Sequence, residues 1–175
     1  MRTIEFSLSA KSINQAIKDL KAWDKWVEKK SKRLLEELAD RGIEVMSHNF
    51  YQAVYDGTND VKCQVKEKGD HYTTLIATGN AVLFIEFGTG VKYPDNHPEK
   101  PEGLVGRGEY GKGKGKNPEG WRYVGEPGTN GVRSKTAKKK SVIHTYGNPA
   151  NQCVYQTIQQ LKDEFEEIAR RVFND

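Results

Sequence analysis

Apolar residues along this chain follow two periods, and the switches between them divide it into segments. Ile4, Phe6 and Leu8 alternate with Thr3, Glu5 and Ser7, the period of a short half-buried strand. Ser12 is then placed to cap a helical turn carrying Ile13, Ala16, Ile17 and Leu20. From 22 to 55 the pattern predicts one long helix or two in line. Val27, Leu34, Leu38 and Val45 follow one face, with Leu35, Met46, Phe50 and Val54 widening it and Lys25, Lys29, Lys32, Glu36, Glu37 and Asp40 opposite. Gly42 is the weak point of that helix and the place where a bend is expected.

After the turn signal DGTND at 56–60, three strands are predicted. VKCQVKE alternates Val61, Cys63 and Val65 with Lys62, Gln64 and Lys66. HYTTLIAT is rich in branched and aromatic residues, and AVLFIEF is apolar on both faces, so it reads as the most buried of the three. Short turns at Gly69 and Gly79 make an antiparallel meander the economical topology. SVIHTYGNPANQ offers another short strand, followed by Asn148 as a helix cap with Pro149 in the first helical position. A closing helix places Val154, Ile158, Leu161, Phe165, Ile168 and Val172 on one stripe. The fold class expected is therefore α+β: a small antiparallel sheet packed by a long N-terminal helix and a C-terminal helix.

Between these parts, residues 91 to 140 show no sustained period. A loop of that length in a small domain is either functional or disordered. Tyr93, Tyr110, Trp121 and Tyr123 argue against a plain linker. We expect one domain over 1–175, with a core from 1–90 and 141–175 and an extended arm or hairpin over 91–140 that orders on contact.

Composition sharpens this picture in two ways. Only 35% of the 175 residues are hydrophobic, which fits a modest core with part of the chain left unburied. The formal net charge of +4 is concentrated: residues 1–91 are balanced, 92–140 carry +6 and 141–175 carry −2. No run approaches the roughly 18 apolar residues of a membrane span, and the N-terminus lacks a signal-peptide core. Synthesis in the cytoplasm is expected. Cys63 and Cys153 have no ligand-spaced partner and read as buried small hydrophobes.

Candidate chemistry is sparse. Gly106 to Gly111 fits G-x-G-x-x-G but lacks the preceding strand and following helix that would bring phosphate to a helix N-terminus. His48, His71, His97 and His144 share no metal-ligand spacing. Glu86, a carboxyl at the end of an apolar run, would need a partner acid, metal or nucleophile to act as a general base, and none is identifiable. An interface or turn contact is the reading that remains for it. No catalytic set, metal site or cofactor is expected. The arm offers Arg107, Lys112, Lys114, Lys116, Arg122, Arg133, Lys135 and Lys138, Lys139 and Lys140, which could neutralise phosphates or grip an acidic protein surface.

Two motifs carry a resemblance. VLFIEFGTG at 82–90, read as a strand ending in Glu-Phe-Gly-Thr, and YGNPANQCVYQTIQQL at 146–161 resemble segments of the neck, or head–tail joining, proteins of long-tailed bacteriophages. The order of long helix, first motif, variable basic insertion and closing helix is similar as well. Gln152-Cys153 stands where that family usually has Pro-Phe. The resemblance implies a non-enzymatic virion protein forming a homo-oligomeric ring at the head–tail junction, between head-closure proteins and the tail terminator or tube. Contact with DNA in the channel is a further implication, and no membrane is involved. Glu86, Phe87, Gly88, Thr89 and Gly90, with Asn148, Pro149 and Ala150, are expected at or behind the subunit interface. Tyr93, Arg107, Tyr110, Lys112, Lys114, Lys116, Trp121, Arg122, Tyr123, Lys138, Lys139 and Lys140 are expected to supply arm contacts. The alternatives are a nucleic-acid-binding module using 107–140, or a tail terminator or tail-completion protein.

Overall fold

The structure, a computed structural model, describes residues 7–88, 119–125, 132–133 and 142–174. It is α+β, with two long helices and small antiparallel sheets. Helix α1 (Ala10–Gln52) runs unbroken for 43 residues. Its N-cap is Ser9 rather than Ser12, because the Ser9 hydroxyl accepts the Ser12 amide at 3.3 Å while the Ser12 hydroxyl reaches back to the Ser7 amide at 2.9 Å. The predicted strand before it lies mostly outside the described residues. Its last member, Leu8, sits in a bend and is exposed.

Strands β1 (Lys62–Lys68) and β2 (Thr73–Thr78) pair antiparallel, with a register irregularity between Val65 and Glu67. The third strand of the predicted meander does not form. Val82–Phe87 is instead a short helix, α2. In a strand, Leu83 would share a face with Ile85 and Phe87. In the helix Ala81 and Ile85, four residues apart, enter the core, while Leu83 is left 48% exposed. Asp60 fixes the start, its carboxylate accepting the Asn80 amide at 2.8 Å and the Ala81 amide at 2.9 Å. Those backbone donors hold the Asp60 carboxyl below its ordinary range.

Strands β3 (Trp121–Val124), β4 (Val132–Arg133) and β5 (Val142–Thr145) form a second antiparallel sheet in the order β3-β5-β4. Part of the segment read as an arm is thus sheet. Trp121 and Tyr123 are half-buried, opposite Thr145 and Ile143, while Arg122 and Val124 are exposed. Helix α3 (Cys153–Asn174) closes the fold against α1. It does not begin at Asn148-Pro149 as expected, because the Asn148 side chain is engaged by the Asp56 amide. Among the described residues no helix is long and apolar enough to cross a membrane.

The core is where α1, α2 and α3 converge on the β1–β2 hairpin. Met46, Phe50, Ala81, Ile85 and Cys153 are all buried there, with Leu75, Ala77 and Val154 packed around them. Polar clamps hold α3 along α1. Arg41 grips Glu164 through two hydrogen bonds of 2.7 and 2.8 Å, which depresses the Glu164 carboxyl to about 2. At the far end the Lys30 ammonium donates to the Val172 carbonyl at 2.7 Å, satisfying one of the last acceptors of α3.

Gly42 is the contact point of α1 with both neighbours rather than a bend in it. A Cβ there would lie 2.5 Å from Leu75 Cδ1 and 3.2 Å from Leu161 Cδ1. Two effects oppose each other on substitution. Alanine gains up to about 1 kcal/mol of helix propensity, and overpacking costs roughly 1–3 kcal/mol. Because the clashing atoms are ends of movable side chains, Gly42→Ala is expected to fall within about 1 kcal/mol of wild type in urea unfolding. Gly42→Leu, which cannot be absorbed so, is expected to lose about 3 kcal/mol or more.

Candidate functional site

The two segments singled out by sequence meet in one hydrogen-bonded junction. Its first element is the end of α2. Glu86 is 4% exposed, yet it carries a carboxyl group into the core. Its Oε2 accepts the Val154 amide at 2.8 Å and its Oε1 the Tyr155 amide at 3.1 Å. These are two of the four amides that a helix N-terminus leaves without an intrahelical acceptor. Glu86 therefore caps α3 from 67 residues upstream, and the helix dipole favours its charge there. The backbone continues the pairing: the Asn151 amide donates to the Ile85 carbonyl at 2.8 Å and the Gln152 amide to the Glu86 carbonyl at 3.1 Å.

Gly88 ends α2 at φ 73°, ψ 173°, a region open essentially to glycine alone. A Cβ there would stand 2.6 Å from the Ala150 nitrogen, 2.8 Å from the Asn148 oxygen and 2.8 Å from the Pro149 carbonyl carbon. The two backbones cross with no room for a side chain. Thus Glu86, Phe87 and Gly88 are brought against Asn148, Pro149 and Ala150 within one molecule. Thr89, Gly90, Tyr93, Arg107, Tyr110, Lys112, Lys114, Lys116, Lys138, Lys139 and Lys140 lie outside the described residues.

Asparagines complete the junction, and sequence reading missed how. Asn151 Oδ1 accepts the Val54 amide at 2.8 Å, and Asn151 Nδ2 donates to the Val54, Ile85 and Pro149 carbonyls at 3.0, 3.2 and 3.2 Å. One side chain ties the exit of α1 to α2 and to the segment before α3. Asn148, expected to cap α3, is buried with its Oδ1 accepting the Asp56 amide at 2.6 Å. That engagement is why α3 starts only at Cys153, with Glu86 as its cap. Gln152, just before the helix, holds φ 57°.

Asp56 links the junction to the second sheet. The Tyr123 hydroxyl donates a short hydrogen bond to Asp56 Oδ1, which anchors this arm residue at the junction. Asp56 Oδ2 is buried with no hydrogen-bond partner among the described residues. Burial pushes this carboxyl above the usual aspartate range, against the opposing pull of Thr145, Tyr123 and His144. A raised folded-state pKa means that Asp56 disfavours folding once ionised. That penalty is absent below its unfolded pKa and grows as pH rises through the folded one. Asp56→Asn, which keeps an acceptor for Tyr123, is expected to gain stability relative to wild type between about pH 4 and pH 7. Parallel stability curves for the two proteins would count against this. Glu164 works in the opposite sense, its contribution lost as pH falls from the ordinary glutamate range toward about 2.

The chemistry available at the junction is limited. Burial and the Glu86 charge push the Cys153 thiol up to about 12, which keeps it protonated at neutral pH. His48 and His71 are exposed, and His144 stacks edge-on against Tyr146 with centroids 4.8 Å apart. Among the described residues no group of three or more His, Cys, Asp or Glu is arranged to hold a metal ion. A depression of about 390 Å³ beside the junction is lined by Ser47, Phe50, Tyr51, Asn59, Val61 and Cys63.

Set beside known proteins, the chain matches no family model, no curated protein and no solved structure.

Proposed function

We propose that the chain is a non-enzymatic structural subunit of the head–tail junction of a long-tailed bacteriophage, assembling as a homo-oligomeric ring between head-closure and tail proteins. One observation supports the reading most. The two segments that carry the resemblance, 82–90 and 146–161, are bonded to each other through the Glu86 carboxyl and the Val154 and Tyr155 amides. Glu86, Asn148 and Asn151 in these segments are engaged in joining helices, which suits a rigid joint. Tyr123 fastens the second sheet to the same joint, giving the basic segment around it a fixed base.

A second reading, binding of a polyanion, is favoured by a feature outside the arm. Lys11, Lys18, Lys21, Lys25, Lys29 and Lys32 are all exposed on α1, and helical geometry places them within an arc of about 80°. Two readouts on the full chain separate the readings: sedimentation velocity for assembly, and anisotropy of labelled duplex DNA across a salt series. Ring-sized species without measurable DNA binding are the expected result. A monomer whose DNA affinity falls steeply with salt, and disappears in Lys18→Glu/Lys25→Glu, would overturn the structural reading in favour of a nucleic-acid-binding module.

A further inference from the structure

The solvent face of α1 changes the sign of its charge partway along the helix. Lys11, Lys18, Lys21, Lys25, Lys29 and Lys32 lie on one side and are all exposed. The only acids between residues 10 and 27, Asp19 and Asp24, sit roughly 60° or more off that row. Beyond Arg33 the same side turns acidic with Glu36 and Asp40, both exposed. Some charges near the changeover are satisfied within the molecule, Lys32 by Glu28 and Asp70 and Arg33 by Glu37. Lys25, Lys29, Glu36 and Asp40 make no ion pair with a described residue.

Segregation of this kind costs the isolated helix. Lys21 and Lys25, Lys25 and Lys29, and Glu36 and Asp40 are like-charged neighbours four residues apart. A face that met only solvent would be better served by mixed signs at that spacing. The two halves are also in register with each other. Lys29 and Glu36 are equally far from a point midway between residues 32 and 33, and so are Lys25 and Asp40. The surface around that point is concave, with Lys25, Glu28, Lys29, Lys32, Arg33 and Glu36 lining a depression of about 500 Å³.

We infer that α1 of one copy lies antiparallel on α1 of a second copy, about a two-fold axis that passes between residues 32 and 33. Lys25 of each copy then faces Asp40 of the other, and Lys29 faces Glu36, the reciprocal pairing that a two-fold contact requires. The contact runs from residue 25 to residue 40, roughly 22 Å of helix. Lys32 and Arg33 of the two copies approach each other at the axis, and each brings its own carboxylate with it. Charge complementarity selects this occupant. Duplex DNA could use the lysines, but Glu36 and Asp40 on the same face would repel its phosphates. A parallel neighbour could satisfy only one half at a time, and neighbours on both halves would compete for one face. The antiparallel copy satisfies both halves at once. Exposed ion pairs contribute little each, so the contact is weak and sensitive to salt. It does not depend on the ring reading: alone it gives a dimer, and combined with ring contacts it joins two rings face to face.

Charge reversal in the full chain tests it. Lys25→Glu/Lys29→Glu makes the face acidic throughout, and Glu36→Lys/Asp40→Lys makes it basic throughout. Both double variants are followed by sedimentation velocity over a concentration series, with far-UV circular dichroism to check that they remain folded. Each is expected to sediment at half the wild-type mass, with self-affinity in this contact lowered at least about 10-fold. An equimolar mixture of the two is expected to recover the wild-type mass, because all the facing pairs are then of opposite sign. Raising salt from about 50 to about 500 mM is expected to weaken the wild-type contact by a similar factor. Variants that keep the wild-type mass would overturn the contact while leaving the ring reading intact. Variants that dissociate but do not recombine when mixed would overturn the antiparallel register. A wild-type chain that is monomeric at low salt at every concentration, or whose lysine row binds duplex DNA instead, would overturn the pairing outright.

Discussion

Gly88→Ala is expected to destabilise the fold by roughly 3–5 kcal/mol, a large share of a domain's total stability. Two costs combine. The ε-region backbone at φ 73°, ψ 173° is strained for any residue with a Cβ. The new methyl would also meet backbone atoms of Asn148, Pro149 and Ala150 at 2.6 to 2.8 Å. Unlike the side-chain ends facing Gly42, these atoms cannot step aside, because the Asn151 and Gln152 amides are already bonded to the carbonyls of Ile85 and Glu86. Relief requires parting α2 from α3. The measurement is urea unfolding followed by tryptophan fluorescence, with a soluble, folded variant at near-wild-type midpoint as the contrary result.

Glu86→Ala carries the second large effect, a loss of roughly 2–4 kcal/mol. The substitution removes two hydrogen bonds at once and leaves the Val154 and Tyr155 amides facing a cavity too apolar to hydrate well. Glu86→Gln keeps the shape and one acceptor, but its amide nitrogen opposes a backbone N–H, so about half the loss is expected. Hydrogen exchange localises the cause: amides 154 and 155 should lose protection in Glu86→Ala before the middle of α3 does. Uniform change along α3, or a loss below about 0.5 kcal/mol, would mean that Glu86 is not the cap. The pair of variants also separates the joint from any surface role, since neither Glu86 nor Gly88 points to solvent.

The long helices were readable because their apolar stripes persist over many turns, and a pattern of 43 or 22 residues averages out local exceptions. The β1–β2 hairpin was readable from the alternation of Val61, Cys63 and Val65. The error at 82–87 has a physical origin. Six residues, five of them apolar, fit a buried strand and about one and a half helical turns equally well, and only burial of Ala81 with Ile85 decides. That burial depends on Asp60, which lies outside the run and pins its first turn. The start of α3 misled for a related reason. Asn148-Pro149 has the local form of a cap, but the Asn148 carboxamide is taken by Asp56, and the true cap comes from Glu86 far up the chain.

For the candidate site, residues singled out from the sequence for a subunit interface are joined to one another within one molecule, a relation the sequence did not indicate. Glu86, Gly88, Asn148 and Ala150 were all singled out, yet nothing local indicated that they touch. Asn151 and Asp56 were overlooked as members because asparagine and aspartate in turn-like stretches read as turn formers. Here they bridge elements about 66 to 97 residues apart in the chain.

Self-assembly is tested most directly by native mass spectrometry of the wild-type chain. The predicted result is one closed species at a fixed multiple of the 19.8 kDa chain mass, unchanged on dilution until it dissociates. A single peak at 19.8 kDa at every concentration would contradict it.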